Sequence, residues 1–205
     1  MYLSRSGPGG EYDDIATHPD LVVTVTHHEL FGFNEDGRLV EKLIPVRVFE
    51  FGVARKILTA IPYLRDRIPL PAPGKSSLDI VALHDDGPRA IKIWLQILHD
   101  AYDSASYSAP IITIWHMLSV ADRYRMDPTG DGPREWFKGW LAQRFRHTYD
   151  ECCELLLPLY RFDHAAGFAA VTNQLAYTGQ GHIVEKRPYG FKYDNLRLGQ
   201  NVVRK

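Results

Sequence analysis

Hydrophobic positions are densest between Leu78 and Met126. Leu78, Ile80 and Val81 to Leu83 make an apolar run of strand length, which Asp85-Asp86-Gly87 ends. Pro88 stands where a first-turn proline belongs, because its missing N–H has no helical partner there and its φ is already set. From it Ile91, Leu95, Leu98 and Tyr102 recur at steps of four, three and four, on one helical face. Ile93, Trp94, Ile97 and Ala101 widen that face, so the helix is predicted to be buried on more than one side. Pro110 opens the next helix, with Ile111, Ile114, Trp115, Leu118 and Ala121 as its stripe and Asp127-Pro128 as its stop.

Upstream, Leu21 to Thr26 is β-branched and strand-like, and Val46 to Phe51 alternates before turning aromatic at Phe49 and Phe51. Between them Asn34-Glu35-Asp36-Gly37 is a turn signal. The connection of about twenty residues exceeds a usual hairpin loop, which predicts an extra hairpin inside it. Ala54 to Ile61 reads as a short helix that Pro62 breaks, and Tyr63 to Ile68 as a further turn or two. The run from Pro69 to Gly74, with three prolines, is a stiff linker. Downstream, Pro133 begins a helix with Trp136, Phe137, Trp140, Leu141 and Phe145. Thr148-Tyr149-Asp150-Glu151 matches a capping box, and its helix carries Leu155, Leu156 and Leu157 to Pro158. Asp163 is the expected N-cap of a last helix through Phe168, Val171 and Leu175, with Gly179 as its stop. Residues 1–19 are rich in Gly, Pro and charge without periodicity and read as a flexible segment. Residues 180–205 are basic, aromatic and weakly periodic.

These stretches carry a resemblance. DIVALHDDGPRAIKIWLQILHDAY from Asp79, followed by IITIWHMLSVADRYRMDP from Ile111, resembles the second half of a BTB/POZ domain in the form found in many fungal proteins. DLVVTV from Asp20 and VFEFGVARKILTAIPYLRDRI from Val48 resemble its first half, in the right order. The tail from Asp163 resembles the extension that follows the domain in that branch. The resemblance implies an α+β fold, with a small, mostly three-stranded sheet and clustered helices, followed by a helical extension. It divides the chain into a flexible segment (1–19), a BTB/POZ-like domain (20–127) and a helical extension with a basic tail (128–205).

The function implied is protein–protein interaction without catalysis, by homodimerisation or recruitment of a protein partner. In the family an aspartate at the start of the first strand and a basic residue on the first core helix lie in or near a charged pocket beneath the dimer interface. Asp20 and Arg55 hold the matching positions, either as an interface-stabilising pair or as a structural ion pair. Ile57, Tyr63, Leu64, Trp94 and Trp115 are the other expected interaction residues. The family often has His-Arg or His-Lys where this chain has Ala54-Arg55, and Ser-Pro where it has Ile61-Pro62. Both departures bear on dimer geometry. Some BTB proteins are substrate adaptors of cullin-based ubiquitin ligases and carry a hydrophobic-x-Glu motif after the short helix. Here Arg67 to Gly74 has no glutamate, so a cullin scaffold is disfavoured as a partner.

At 205 residues the chain suits one large domain, or one domain with an extension. Its net charge of −1 offers no electrostatic reason to bind nucleic acid or an anionic membrane. No long apolar run and no charged-then-apolar leader appears, so an intracellular protein, cytoplasmic or nuclear, is expected. Cys152 and Cys153 are adjacent in a helical pattern and point about 100° apart, which predicts a reduced pair rather than a disulfide. His27-His28-Glu29 brings only two groups to one face of a strand, and HExxH and CxxC spacings are absent, so no metal or cofactor is implied. His182 and Glu185 form one isolated pair, and no nucleophile elbow is present, so nothing supports an enzyme or a small-molecule substrate. Trp136 and Trp140 with Arg134, Lys138, Arg144 and Arg146 fit either an anion-binding face or a helix packing its aromatics inward, and the packing reading is preferred. Lys186, Arg187, Lys192, Arg197, Arg204 and Lys205 read as a solvated extension.

Overall fold

A computed structural model describes residues 10–35, 38–70, 78–84, 87–144, 147–179, 182–193, 195–199 and 202. Asp36 and Gly37 of the expected turn, Pro71 to Gly74 of the linker, Asp85-Asp86, Phe145-Arg146 and the terminal Arg204 and Lys205 lie outside the described residues. The protein is α+β, with two compact units, Met1–Ala101 and Tyr102–Lys205.

The first unit holds a four-stranded sheet in the order β1-β3-β2-β4, built from β1 (Gly10–Asp14), β2 (Leu21–Glu35), β3 (Arg38–Val53) and β4 (Asp79–His84). β2 and β3 are antiparallel, while β1 joins β3 and β4 joins β2 in parallel. Register lines up one apolar face: Leu21 opposes Val53, Val23 lies between Phe51 and Val81, and Val25 opposes Leu83. All seven are buried. Alternation along each strand sends these side chains to one side, where apolar burial supplies the driving force. Two short helices, α1 (Arg55–Leu58) and α2 (Pro62–Arg65), contribute buried Leu58 and Leu64. The longer α3 (Pro88–Leu98) packs against β2 and β3.

Two expectations for this unit need correction. Gly10–Asp14 is a strand rather than part of an aperiodic segment, and it makes the sheet four-stranded rather than three-stranded. Its sequence has no alternation to announce it; it is held by parallel pairing to β3. Gly52 makes room, since a side chain there would collide with the Asp14 carboxylate and the Tyr12 hydroxyl. The Gly52 carbonyl accepts from both Ile15 and Ala16 N–H, at 2.9 and 3.0 Å. Second, the long connection between the first two strands is no separate hairpin. β2 and β3 continue through it as one ribbon, with a register shift at His27/His28 that leaves Val46 unopposed. Pro45 sits beside this bulge, where a missing N–H is tolerated.

The second unit contains α4 (Ile111–Tyr124), α5 (Asp131–Ala142), α6 (Tyr149–Arg161) and α7 (Ala165–Thr178). The capping box at Thr148 is present in both directions: Glu151 N–H donates to Thr148 Oγ1 at 3.2 Å, and Thr148 N–H donates to Glu151 Oε2 at 2.8 Å. α6 then passes through Pro158 instead of stopping there. Proline removes the donor for the Glu154 carbonyl one turn back, and the Trp115 indole N–H from α4 replaces it at 2.9 Å. α3, α4 and α6 end alike, with Asp100, Arg125 and Asp163 at positive φ and a following N–H closing back to Gln96, Ala121 and Leu159. Asp163 is therefore the left-handed end of α6, not the cap of α7. That cap is His164, whose Nδ1 accepts from Gly167 N–H at 3.0 Å.

Aromatic side chains fill this unit. Trp115, Trp136, Trp140 and Phe137 are fully buried, so the aromatic face of α5 turns inward. The Trp136 indole donates to Ser106 Oγ at 2.9 Å and that of Trp140 to Ala109 O at 2.7 Å. Phe137 stacks on Phe162 with centroids 4.4 Å apart. The expected solvated tail is partly a packed one. Phe191 and Leu196 are buried, and Phe191 meets Trp115 edge-on at 5.2 Å.

Candidate interaction surface

Arg55 is the polar centre of the first unit. Its backbone N–H donates to Asp20 Oδ1 at 2.6 Å, so the aspartate before β2 caps α1 from a distance in sequence. The guanidinium does not pair with Asp20. It bonds Asp79 Oδ2 at 2.5 Å and the Pro69 carbonyl, tying α1 to the start of β4 and to the segment after α2. The Arg55 and Asp79 side chains are 14% and 10% exposed, which makes this a largely desolvated pair with a structural role. Asp20 and Arg55 are thus brought together, through the backbone rather than as an ion pair.

His99 serves the backbone of Ala54. Ala54 N–H donates to His99 Nε2 at 3.0 Å while His99 Nδ1 lies 2.8 Å from the Leu95 carbonyl. Two bonds of that kind require the neutral tautomer protonated at Nδ1.

The other expected interaction residues divide into two groups. Leu64, Trp94 and Trp115 are buried at 5%, 2% and 0%, which removes them as contact residues; their apolar stripes belong to the interior. Ile57 and Tyr63 are half-buried. The Tyr63 hydroxyl accepts from Arg67 at 2.6 Å, and the guanidinium lies 4.4 Å from the ring centroid. Leu70, just beyond, is 89% exposed.

The surface that sequence reasoning missed is on the sheet. Past Thr26 on β2 and before Val48 on β3, no third strand pairs with either edge among the described residues. β2 and β3 therefore continue as a two-stranded arm. Phe31 and Phe33 are 42% and 37% exposed on it and Val46 is 49% exposed, with Val40 and Ile44 half-buried beside them. Phe31, Phe33, Val40 and Ile44 fall on one face by register. The signal was the alternation Phe31-Gly32-Phe33 inside the long connection where an extra hairpin is expected. Near the base, Val48, Tyr12 and Ile80 are exposed on the sheet face opposite the core, which by register is the other face from Phe31 and Phe33.

Titratable groups do not converge here. His27 Nε2 and Glu29 Oε1 are 3.9 Å apart and both about half-exposed, and no group of three metal-capable side chains occurs among the described residues. Cys152 and Cys153 are free and buried, and burial pushes both thiols up. No described helix is long and apolar enough to cross a membrane. No protein-family model matches the sequence, and no curated protein or solved structure matches it.

Proposed function

We propose that this chain is a non-catalytic protein–protein interaction module of the BTB/POZ type, which self-associates through the arm formed by β2 and β3. The observation that carries the reading is the pair of exposed phenylalanines on a ribbon beside which no third strand pairs among the described residues. An isolated two-stranded ribbon is marginal in water, and unpaired edges with apolar side chains invite a further strand or surface. The order of elements in the first unit supports the family: hairpin, two short helices, a strand returning parallel to β2, then a long helix. A second copy is the first partner to test, because a protein partner must otherwise be found before any binding can be measured. Light scattering on the full chain at increasing concentration should give a mass approaching twice the monomer's 23.4 kDa. A monomer at every concentration defeats the proposal.

A further inference from the structure

In the second unit, residues 186–193 and 195–198 are irregular and are held at three places. Lys186 N–H donates to the Cys153 carbonyl at 3.2 Å, while its ammonium lies 3.0 Å from Asp150 on α6. Phe191 and Tyr193 pack on α4, and Gly190 passes beside Ile112. Leu198 N–H closes the path by donating to Glu185 Oε2 at 2.6 Å.

The middle contact has an unusual component. His116 of α4 lies 5.2 Å from Phe191 and 6.0 Å from Tyr193 by ring centroids, so the segment covers an imidazole with aromatic rings. Its Nδ1 is buried and meets no hydrogen-bonding group among the described residues. A neutral ring tolerates this with Nδ1 as the unprotonated nitrogen; a charged ring must carry a second buried N–H with no acceptor. We propose that residues 186–193 form a strap over α4 that stays closed only while His116 is neutral, and that acidification lifts its Phe191–Tyr193 portion.

The surrounding charges agree with this assignment. Burial alone lowers the basicity of His116. On α4 the charged group at the contact is Arg123, whose guanidinium lies 5.9 Å from the Tyr193 centroid, and a cation there adds no relief to a protonated imidazole. On the strap the phenol of Tyr193 is the titratable neighbour. Toward α6, Lys186 pairs with Asp150, and Glu154 stands nearby with its carboxyl pushed up by burial. Glu185, facing Arg187 and Arg197, is likewise pushed up by burial. The signs oppose each other. A histidine lowered in the folded state contributes fully above its unfolded value, about 6.5, and that contribution is lost as pH falls below it. Carboxyls that are raised favour the closed state as they take up protons. Opening of the Phe191–Tyr193 portion on acidification is therefore assigned to His116 rather than to Glu154 or Glu185.

The test follows the full chain by NMR between about pH 8 and about pH 5, reading the Phe191–Trp115 ring contact, the imidazole shift of His116 and the backbone amides of α4 and α6. The expected result is loss of the ring contact along the titration curve of His116, with the helical amides retained. In His116→Phe, which keeps an aromatic ring and removes the proton, the contact should persist to the lowest pH. Should that variant fail to fold, the wild-type coincidence of the two curves decides. Persistence of the contact in wild type, its loss in step with the helices, or its loss in His116→Phe at the same pH each overturns the strap.

Discussion

The tryptophans of α4 and α5 and the phenylalanines of the arm are used in opposite ways. In the second unit, Trp115, Trp136 and Trp140 are fully buried and each indole N–H has an acceptor. In the first, Phe31 and Phe33 stand on an arm with exposed faces and no third strand alongside among the described residues. Burial with a satisfied polar handle is what an aromatic does for the stability of its own fold. Large apolar side chains left open on a narrow ribbon add little to that fold and are suited to contact with something else. The contrast separates residues that hold the protein together from residues available for association.

The largest effect expected is at Trp115. Trp115→Ala removes a buried ring and also the donor that serves the Glu154 carbonyl opposite Pro158. Large-to-small changes of this kind cost about 3–5 kcal/mol. Thermal unfolding should show a drop of many degrees, and an unchanged melting temperature would mean that α6 does not depend on that indole.

Next comes Arg55→Ala, which leaves Asp79 largely buried without its cation. Hydrogen bonds to charged groups contribute about 1.5–3 kcal/mol. Urea unfolding is expected to show a loss in that range, whereas Asp20→Ala, which removes only an accessory cap of α1, should cost about 1 kcal/mol. Equal losses from the two would favour an Asp20–Arg55 pair over the arrangement described here.

How much of this was legible depended on how local the determinants are. The capping box needs only Thr148 and Glu151, three residues apart, and the stripes of α3 and α4 need only a period, so both were readable. Helix ends were read less well, because Asp100, Arg125 and Asp163 adopt a left-handed conformation that sequence assigns first to glycine. The passage of α6 through Pro158 depends on an indole from another helix, thirty-nine residues away. Strand β1 and the buried Phe191 and Leu196 have no periodic pattern at all; they are ordered by surfaces that exist only once the rest has folded. The interaction site was legible only in part. Asp20 and Arg55 do lie together, through the Arg55 backbone N–H, but Leu64, Trp94 and Trp115 were drawn from stripes that are core.

A smaller effect is expected at the capping box. Thr148→Ala should cost about 1 kcal/mol. Glu151 is held below the usual glutamate range first by the Thr148 N–H, so its contribution is complete above the ordinary glutamate value and is lost as pH falls through the lowered one. Unfolding measured across that acid range should show wild type and Glu151→Gln, which cannot ionise, converging. Parallel curves would indicate that the carboxylate plays no part in the cap.

The smallest effect on stability, and the largest on association, belongs to the arm. Changing Phe31 and Phe33 together to serine touches exposed side chains, where substitutions usually shift stability by no more than about 0.5 kcal/mol. Sedimentation equilibrium of wild type and this double variant, at matched concentrations, tests the central claim most directly. The account predicts that wild type associates toward a dimer and that the variant, equally stable, remains near 23.4 kDa. A wild-type monomer, or a dimer that the double substitution leaves untouched, would contradict it.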